Sequence, residues 1–257
     1  VSMGKMGKKN NARHLHAVSY SEVEACDWHP LGNGERKHAA HTHNEERRDQ
    51  SYVKKVRAKS PAQQALMDAI STHNLTVALG PAGTGKTYLA ISAAVEALEA
   101  GKVDRIILSR PAIEAGETLG FLPGDLNEKM APYLRPLYDC LNDRLGAKRL
   151  KAMMLDGQIE IAPVGYMRGR TLNNAFVVID EAQNCTYPQL KMLLTRLGWH
   201  STMVLTGDPG QSDLLDGMSG FADIAGKLAK VDGIAVVTLG EVDVVRHPLV
   251  AAMIPIL

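Results

Sequence analysis

Along the chain, short runs of consecutive apolar residues alternate with stretches in which apolar positions recur every three or four residues. β-type runs stand at 75–79, 105–108, 159–164, 176–179, 202–205 and 234–239. Helical spacing lies between most of them, as at 87–100 and 188–197. The regular pattern begins at Ser60 and Pro61, a cap and a helix-initiating proline ahead of Ala65, Leu66, Ala69 and Ile70. Strand and helix in alternation predict an α/β fold: a mostly parallel sheet sandwiched by helices. Residues 111–155 break the rhythm, with Pro111, Pro123, Pro132 and Pro136 set among charged and apolar positions. A long insertion between strands in this architecture usually carries function.

Residues 1–58 have little apolar periodicity, and they are read as a flexible, basic, histidine-bearing N-terminal tail in front of one domain over 59–257. Before residue 60 there are 12 Lys or Arg against seven Asp or Glu, although the whole chain of 257 residues carries a formal net charge of only +1. Any binding of nucleic acid must therefore be local rather than a property of the whole surface. Cys26, His29, His38, His41 and His43 do not show the four-ligand spacing of a structural zinc site, so a solvated segment is the reading. Cys26, Cys140 and Cys185 form no CxxC pair and are expected to be reduced. No apolar run approaches the roughly 18 residues of a spanning helix and no secretory leader is legible, so a cytoplasmic location without a membrane partner is expected.

The candidate chemistry begins at Gly80, Pro81, Ala82, Gly83, Thr84, Gly85, Lys86 and Thr87, which satisfy G-x4-G-K-[ST] between an apolar strand and an Ala-rich helix. Backbone N–H groups of such a loop wrap phosphates, the helix N-terminus adds partial positive charge, and Lys86 reaches the β- and γ-phosphates. Thr87 offers a hydroxyl to magnesium, and Tyr88, next in the chain, is counted with the nucleotide-binding set. The run 176–179 ends in Asp180 and Glu181: Asp180 is the expected magnesium holder, and Glu181 is placed to orient or deprotonate the attacking water. Gln211, beyond the strand that ends Leu205-Thr206-Gly207-Asp208, suits a γ-phosphate sensor. Arg246, after the last strand, is a candidate for neutralising charge on the transferred phosphoryl group, within its own chain or across a subunit contact.

These motifs together resemble the PhoH-like family of ATPases, which are in turn similar to the first motor domain of superfamily-one helicases. The most specific stretch runs from Ser109-Arg110-Pro111-Ala112-Ile113-Glu114-Ala115-Gly116-Glu117 to Pro136-Leu137-Tyr138-Asp139. The match extends to Asp180-Glu181-Ala182-Gln183-Asn184, to Thr206-Gly207-Asp208-Pro209-Gly210-Gln211 and to Asp243-Val244-Val245-Arg246-His247. The resemblance implies a RecA-like sheet, ATP as the nucleotide, a role in RNA metabolism, and Gln63, with Gln64 as its substitute, as reader of the adenine edge. Neither a nuclease domain nor a second motor domain is legible. A ring of identical subunits, each completing its neighbour's site, is therefore expected.

What hydrolysis drives stays open at this point. Lys129, Arg135, Arg144, Lys148 and Arg149 with Tyr133, Tyr138 and Phe121, joined by Arg168 and Arg170, could form a platform for single-stranded RNA or DNA. Asp125, Glu128, Asp139 and Asp143 are interleaved with them, which suits a solvated face or a subunit contact equally well. A nucleic-acid-stimulated, helicase-like ATPase and an ATP-driven switch acting on a protein partner are thus both compatible with the residues. Glu181 argues against a module that merely holds ATP.

Overall fold

A computed structural model of the chain describes residues 56–111, 126–214 and 218–245. Six strands form one wholly parallel sheet: β1 (Leu75–Leu79), β2 (Arg105–Arg110), β3 (Ile159–Pro163), β4 (Ala175–Ile179), β5 (Thr202–Gly207) and β6 (Ile234–Thr238). Their order across the sheet is β3-β2-β4-β5-β1-β6. The expected α/β fold is what forms, and all six apolar runs are strands. They read as continuous apolar runs because a parallel sheet is covered on both faces.

One face packs on α1 (Pro61–Thr72), α2 (Lys86–Glu99), α3 (Leu126–Leu145) and α4 (Ala147–Leu155); Ala78, Ile106, Leu108, Phe176, Val178 and Val204 point into that core. The other face, with Val77, Ile107, Val177, Ile179, Met203 and Leu205, meets α5 (Tyr187–Leu194) and α6 (Phe221–Leu228). The alternation of neighbouring residues between two cores is the period-two geometry of a strand. At the start of α1, Ser60 Oγ accepts from the Gln63 N–H at 3.2 Å, the cap expected from Ser60-Pro61.

The proline-bearing insertion is more regular than its composition suggests, because Pro132 and Pro136 both lie inside α3. An internal proline costs a helix about 3 kcal/mol. Leu134, Leu137, Leu141 and Leu145 form a buried stripe on the same helix. Each contributes roughly 1.5–3 kcal/mol by leaving water, so packing outweighs the broken backbone bonds. Parallel pairing puts every strand's carboxyl end on one edge of the sheet, where the glycine-rich loop follows β1, Asp180 and Glu181 follow β4, and Gln211 lies beyond β5.

Candidate nucleotide site

The loop after β1 is shaped by positive φ angles at Gly80, Gly83 and Gly85, which side-chain-bearing residues rarely adopt. A Cβ on Gly80 would also strike the Leu239 carbonyl oxygen, where the chain leaves β6. Inside the loop, buried Lys86 donates from Nζ to the Gly80 carbonyl at 2.6 Å and the Pro81 carbonyl at 2.9 Å. Burial lowers the Lys86 pKa from its ordinary value, and Asp208, Glu181 and Asp180 act in the opposite direction. Thr84 Oγ1 donates to the Pro81 carbonyl at 2.9 Å, and the Val245 N–H closes the loop from outside at 2.9 Å on the Gly83 carbonyl.

The loop borders a cleft of about 390 Å³, lined by Val56, Arg57, Lys59, Gln63, Gly83, Gly85, Lys86, Thr87, Tyr88, Leu89, Cys140 and Val245. Gln63 is buried beneath it with both ends of its amide in use: Nε2 donates to the Thr84 carbonyl at 2.9 Å, and Oε1 accepts from the Lys59 N–H at 2.8 Å. It braces the loop from α1. Tyr88 reaches α3, donating to Asp143 Oδ2 at 3.0 Å. Burial pushes the Cys140 thiol up to about 11 and Cys185 up to about 12, so neither is a thiolate at neutral pH.

Across the sheet edge, β4 ends at two carboxylates with different surroundings. Asp180 is buried, and its Oδ1 accepts from Thr87 Oγ1 at 2.6 Å and Thr206 Oγ1 at 2.7 Å. Its backbone N–H is fixed on the Ser109 carbonyl of β2 at 2.8 Å. Glu181 adopts a left-handed φ of 53°, a conformation costing about 1–3 kcal/mol for a residue with a side chain. That turn starts the 3-10 segment Ala182–Asn184 and folds Gln183 back over the strand ends. Gln183 Nε2 donates to Glu181 Oε2 at 2.5 Å, while its Oε1 accepts from the Asp208 N–H at 3.0 Å. Gly207 makes room: a Cβ there would lie 2.6 Å from Gln183 Oε1 and 2.7 Å from a ring carbon of Phe221. Arg110 completes the ring around Glu181, donating from Nη2 to Oε1 at 3.0 Å.

The structure thus brings Lys86, Thr87, Asp180 and Glu181 together on one edge. Gln211 lies on the same edge but is exposed, and its side chain makes no hydrogen bond among the described residues. Arg246 lies outside the described residues, one position beyond Val245. Arg110, Gln183, Thr206 and Asp208 were visible only as letters in family motifs: Arg110, Thr206 and Asp208 have partners 25 to 71 residues away, and Gln183, two residues from Glu181, meets it only through the left-handed turn there.

Residues 55–257 match the family model described as PhoH-like protein. The chain belongs to the PhoH-like family. A PhoH-like protein of Bacillus subtilis is 55% identical over 202 residues, covering 78% of this chain and 63% of the relative. Protein PhoH of Escherichia coli is 45% identical over 205 residues, covering 79% and 58%. The chain spans about three fifths of the length of these curated relatives. A solved Sulfolobus solfataricus SWI2/SNF2 ATPase core in complex with dsDNA is matched at 18% identity and a TM-score of 0.42, over 73% of this chain and 47% of that one. That likeness is too slight to bear on what this chain binds. Family and loop geometry agree with the sequence on a P-loop NTPase that binds nucleotide. No helix among the described residues is long and apolar enough to cross a membrane.

Proposed function

We propose that the chain hydrolyses ATP with magnesium and couples the cycle to single-stranded RNA or DNA in a helicase-like manner. The convergence of Lys86 and Thr87 at the start of α2 with Asp180 and Glu181 after β4 on one sheet edge carries this reading. Lys86 exchanges the neutral carbonyls of Gly80 and Pro81 for phosphate oxygens, which bind a cation more strongly. Thr87 and Asp180, already bonded to each other, offer the hard oxygen donors magnesium takes, and two protein ligands suffice when phosphates and water supply the rest. Magnesium, when bound, would neutralise charge on the β- and γ-phosphate oxygens. Glu181 holds or deprotonates the attacking water. Gln211 senses the γ-phosphate by swinging in from its exposed position, and Arg246 neutralises charge on the transferred group. Gln63 reads adenine with the acceptor and donor capacity left beside its bonds to Lys59 and Thr84, and its standing contribution is to brace the loop.

The surface for nucleic acid is narrower than the sequence suggested. Arg144 is buried 3.6 Å from Glu96, Arg149 bonds Glu99 at 2.6 Å, and Arg170 grips Glu160 with both guanidinium nitrogens. Arg135, Lys148 and Arg168 remain exposed, and Tyr166, 56% exposed beside Arg168, is an aromatic face that the sequence reading had not selected. Lys129 and Phe121 lie outside the described side chains. Assembly into a homo-oligomer, a ring being the natural form, is supported by Val245, 44% exposed where it lines the cleft, and by Val242, 95% exposed three residues before it. Mixing Lys86→Ala with Arg246→Ala subunits tests it, since recovered activity requires an arginine acting across copies.

Steady-state ATP hydrolysis with and without single-stranded RNA, with Glu181→Gln as the control for contaminating activity, tests the main proposal. Stimulation that falls steeply with salt supports strand coupling. Control-sensitive hydrolysis indifferent to RNA and to DNA replaces the strand with a protein partner.

A further inference from the structure

Both oxygens of the carboxylate on which the hydrolytic reading depends already accept a hydrogen bond inside the chain. Glu181 Oε1 accepts from Arg110 and Oε2 from Gln183. The two holders differ in how easily they can let go. Gln183 is buried, its own Oε1 is committed to the Asp208 N–H, and its fit depends on the missing Cβ of Gly207. Arg110 stands at the very end of β2 with its side chain 21% exposed and its guanidinium shared between two elements, Nη2 on Glu181 and Nη1 on the Tyr133 carbonyl of α3 at 3.3 Å. The last pair of the β2–β4 ladder, Ser109 with Ile179, lies one residue before Arg110 and two before Glu181 and so brings the two side chains to the same end of the sheet.

We propose that Arg110 is a positioning residue that latches Glu181 in the nucleotide-free chain, and that the Arg110–Glu181 pair must open before water is activated. The proposal rests on the reading that Glu181 acts on the attacking water. A guanidinium on Oε1 draws electron density from the carboxylate and occupies directions in which a water would donate. Four acceptor directions exist on a carboxylate, so the latch slows turnover without abolishing it. Its strength is also bounded, because a pair with this much solvent access holds only weakly. The Tyr133 contact ties the latch to α3, so a displacement of that helix relative to β2 opens the ion pair from the far side of the guanidinium. An arginine that instead steered Glu181 towards water would give the opposite sign on removal.

The test is kcat and KM for ATP of the full chain carrying Arg110→Ala or Arg110→Gln, with Glu181→Gln and the double variant Arg110→Ala/Glu181→Gln alongside. Both Arg110 variants are expected to raise kcat about two- to fivefold. KM for ATP should stay unchanged, because Arg110 does not line the nucleotide cleft. Arg110→Lys, which keeps the charge but loses the fork, should fall between wild type and Arg110→Ala. The gain must vanish in the double variant. Thermal melts report folding, and Arg110→Gln, which keeps a donor for the Tyr133 carbonyl, carries the test if Arg110→Ala is unstable. Equal or lower kcat in a folded Arg110 variant, with Glu181→Gln inactive, overturns the latch and leaves the hydrolytic reading standing. Full activity in Glu181→Gln removes that reading and the latch with it.

Discussion

The phosphate loop and the acidic end of β4 lie on the same edge of the sheet, yet they are held in different ways. In the loop, Lys86 bonds carbonyls five and six residues back and Thr84 one three residues back, so the conformation is largely a local matter of glycine φ angles and short reach. At the end of β4, Asp180 is held by Thr87, 93 residues earlier, and by Thr206, 26 later, and Glu181 by Arg110, 71 earlier. The inner bonds of the loop can form as soon as its strand and helix do, with Gln63 and the Val245 N–H bracing it from outside. The carboxylate end exists only when β2, β4, β5 and α2 are all in place, and the chemistry proposed here needs both.

That contrast is most sharply tested where the expected effects are largest. Glu181→Gln should lower kcat about 10²–10⁴-fold, the usual contribution of a general base, while equilibrium binding of ATP persists. Loss of binding would mean that the two regions are not separable. Lys86→Ala should lower kcat/KM about 10²–10³-fold and weaken ATP binding as well, which a fluorescent nucleotide titration would read. If affinity were untouched, Lys86 would not be the phosphate contact.

Gly207→Ala attacks only the long-range side, since its new methyl meets Gln183 and Phe221. Overpacking of this kind costs about 1–3 kcal/mol, visible in the urea midpoint. Nucleotide affinity should stay within about twofold, because the methyl meets Gln183 and Phe221, and the Gly207 carbonyl that accepts from the Gly80 N–H is kept. Smallest is Ser60→Ala, which removes the cap of α1 and costs about 0.5–2 kcal/mol in thermal stability. The same hydroxyl bonds Asp243 and holds its carboxyl below the ordinary value of 3.8, with the Gly240 N–H assisting. A depressed carboxyl contributes stability above pH 3.8 that is lost as pH falls through its lowered folded value. In Ser60→Ala the acid limb of the stability profile should therefore become shallower, because the folded carboxyl returns towards its ordinary value. An unchanged limb would show that the Ser60 bond is not what depresses Asp243.

Sequence pattern and structure agree wherever the information is short-range. The six apolar runs became strands, Ser60-Pro61 became a helix start, and the glycine-rich loop sits between β1 and α2. The prolines of the insertion misled because proline spacing speaks for the backbone alone, whereas the leucine stripe of α3 decides by packing. The basic residues of that region misled in a related way. Arg144, Arg149 and Arg170 count as positive charges in the sequence, but each has an acidic neighbour in space that the sequence places 10 to 50 residues away.

By itself, then, the sequence determined the parallel α/β layout, the phosphate loop and the identity of the two carboxylates, since each depends on residue types at fixed short spacing. Only the tertiary structure decided that Asp180 is cradled by two threonine hydroxyls and Glu181 held between Arg110 and Gln183. Apart from the Gln183–Glu181 bond, which spans two residues, those contacts join segments that become neighbours through the order β2-β4-β5-β1, and nothing in the spacing of the residues along the chain encodes that adjacency.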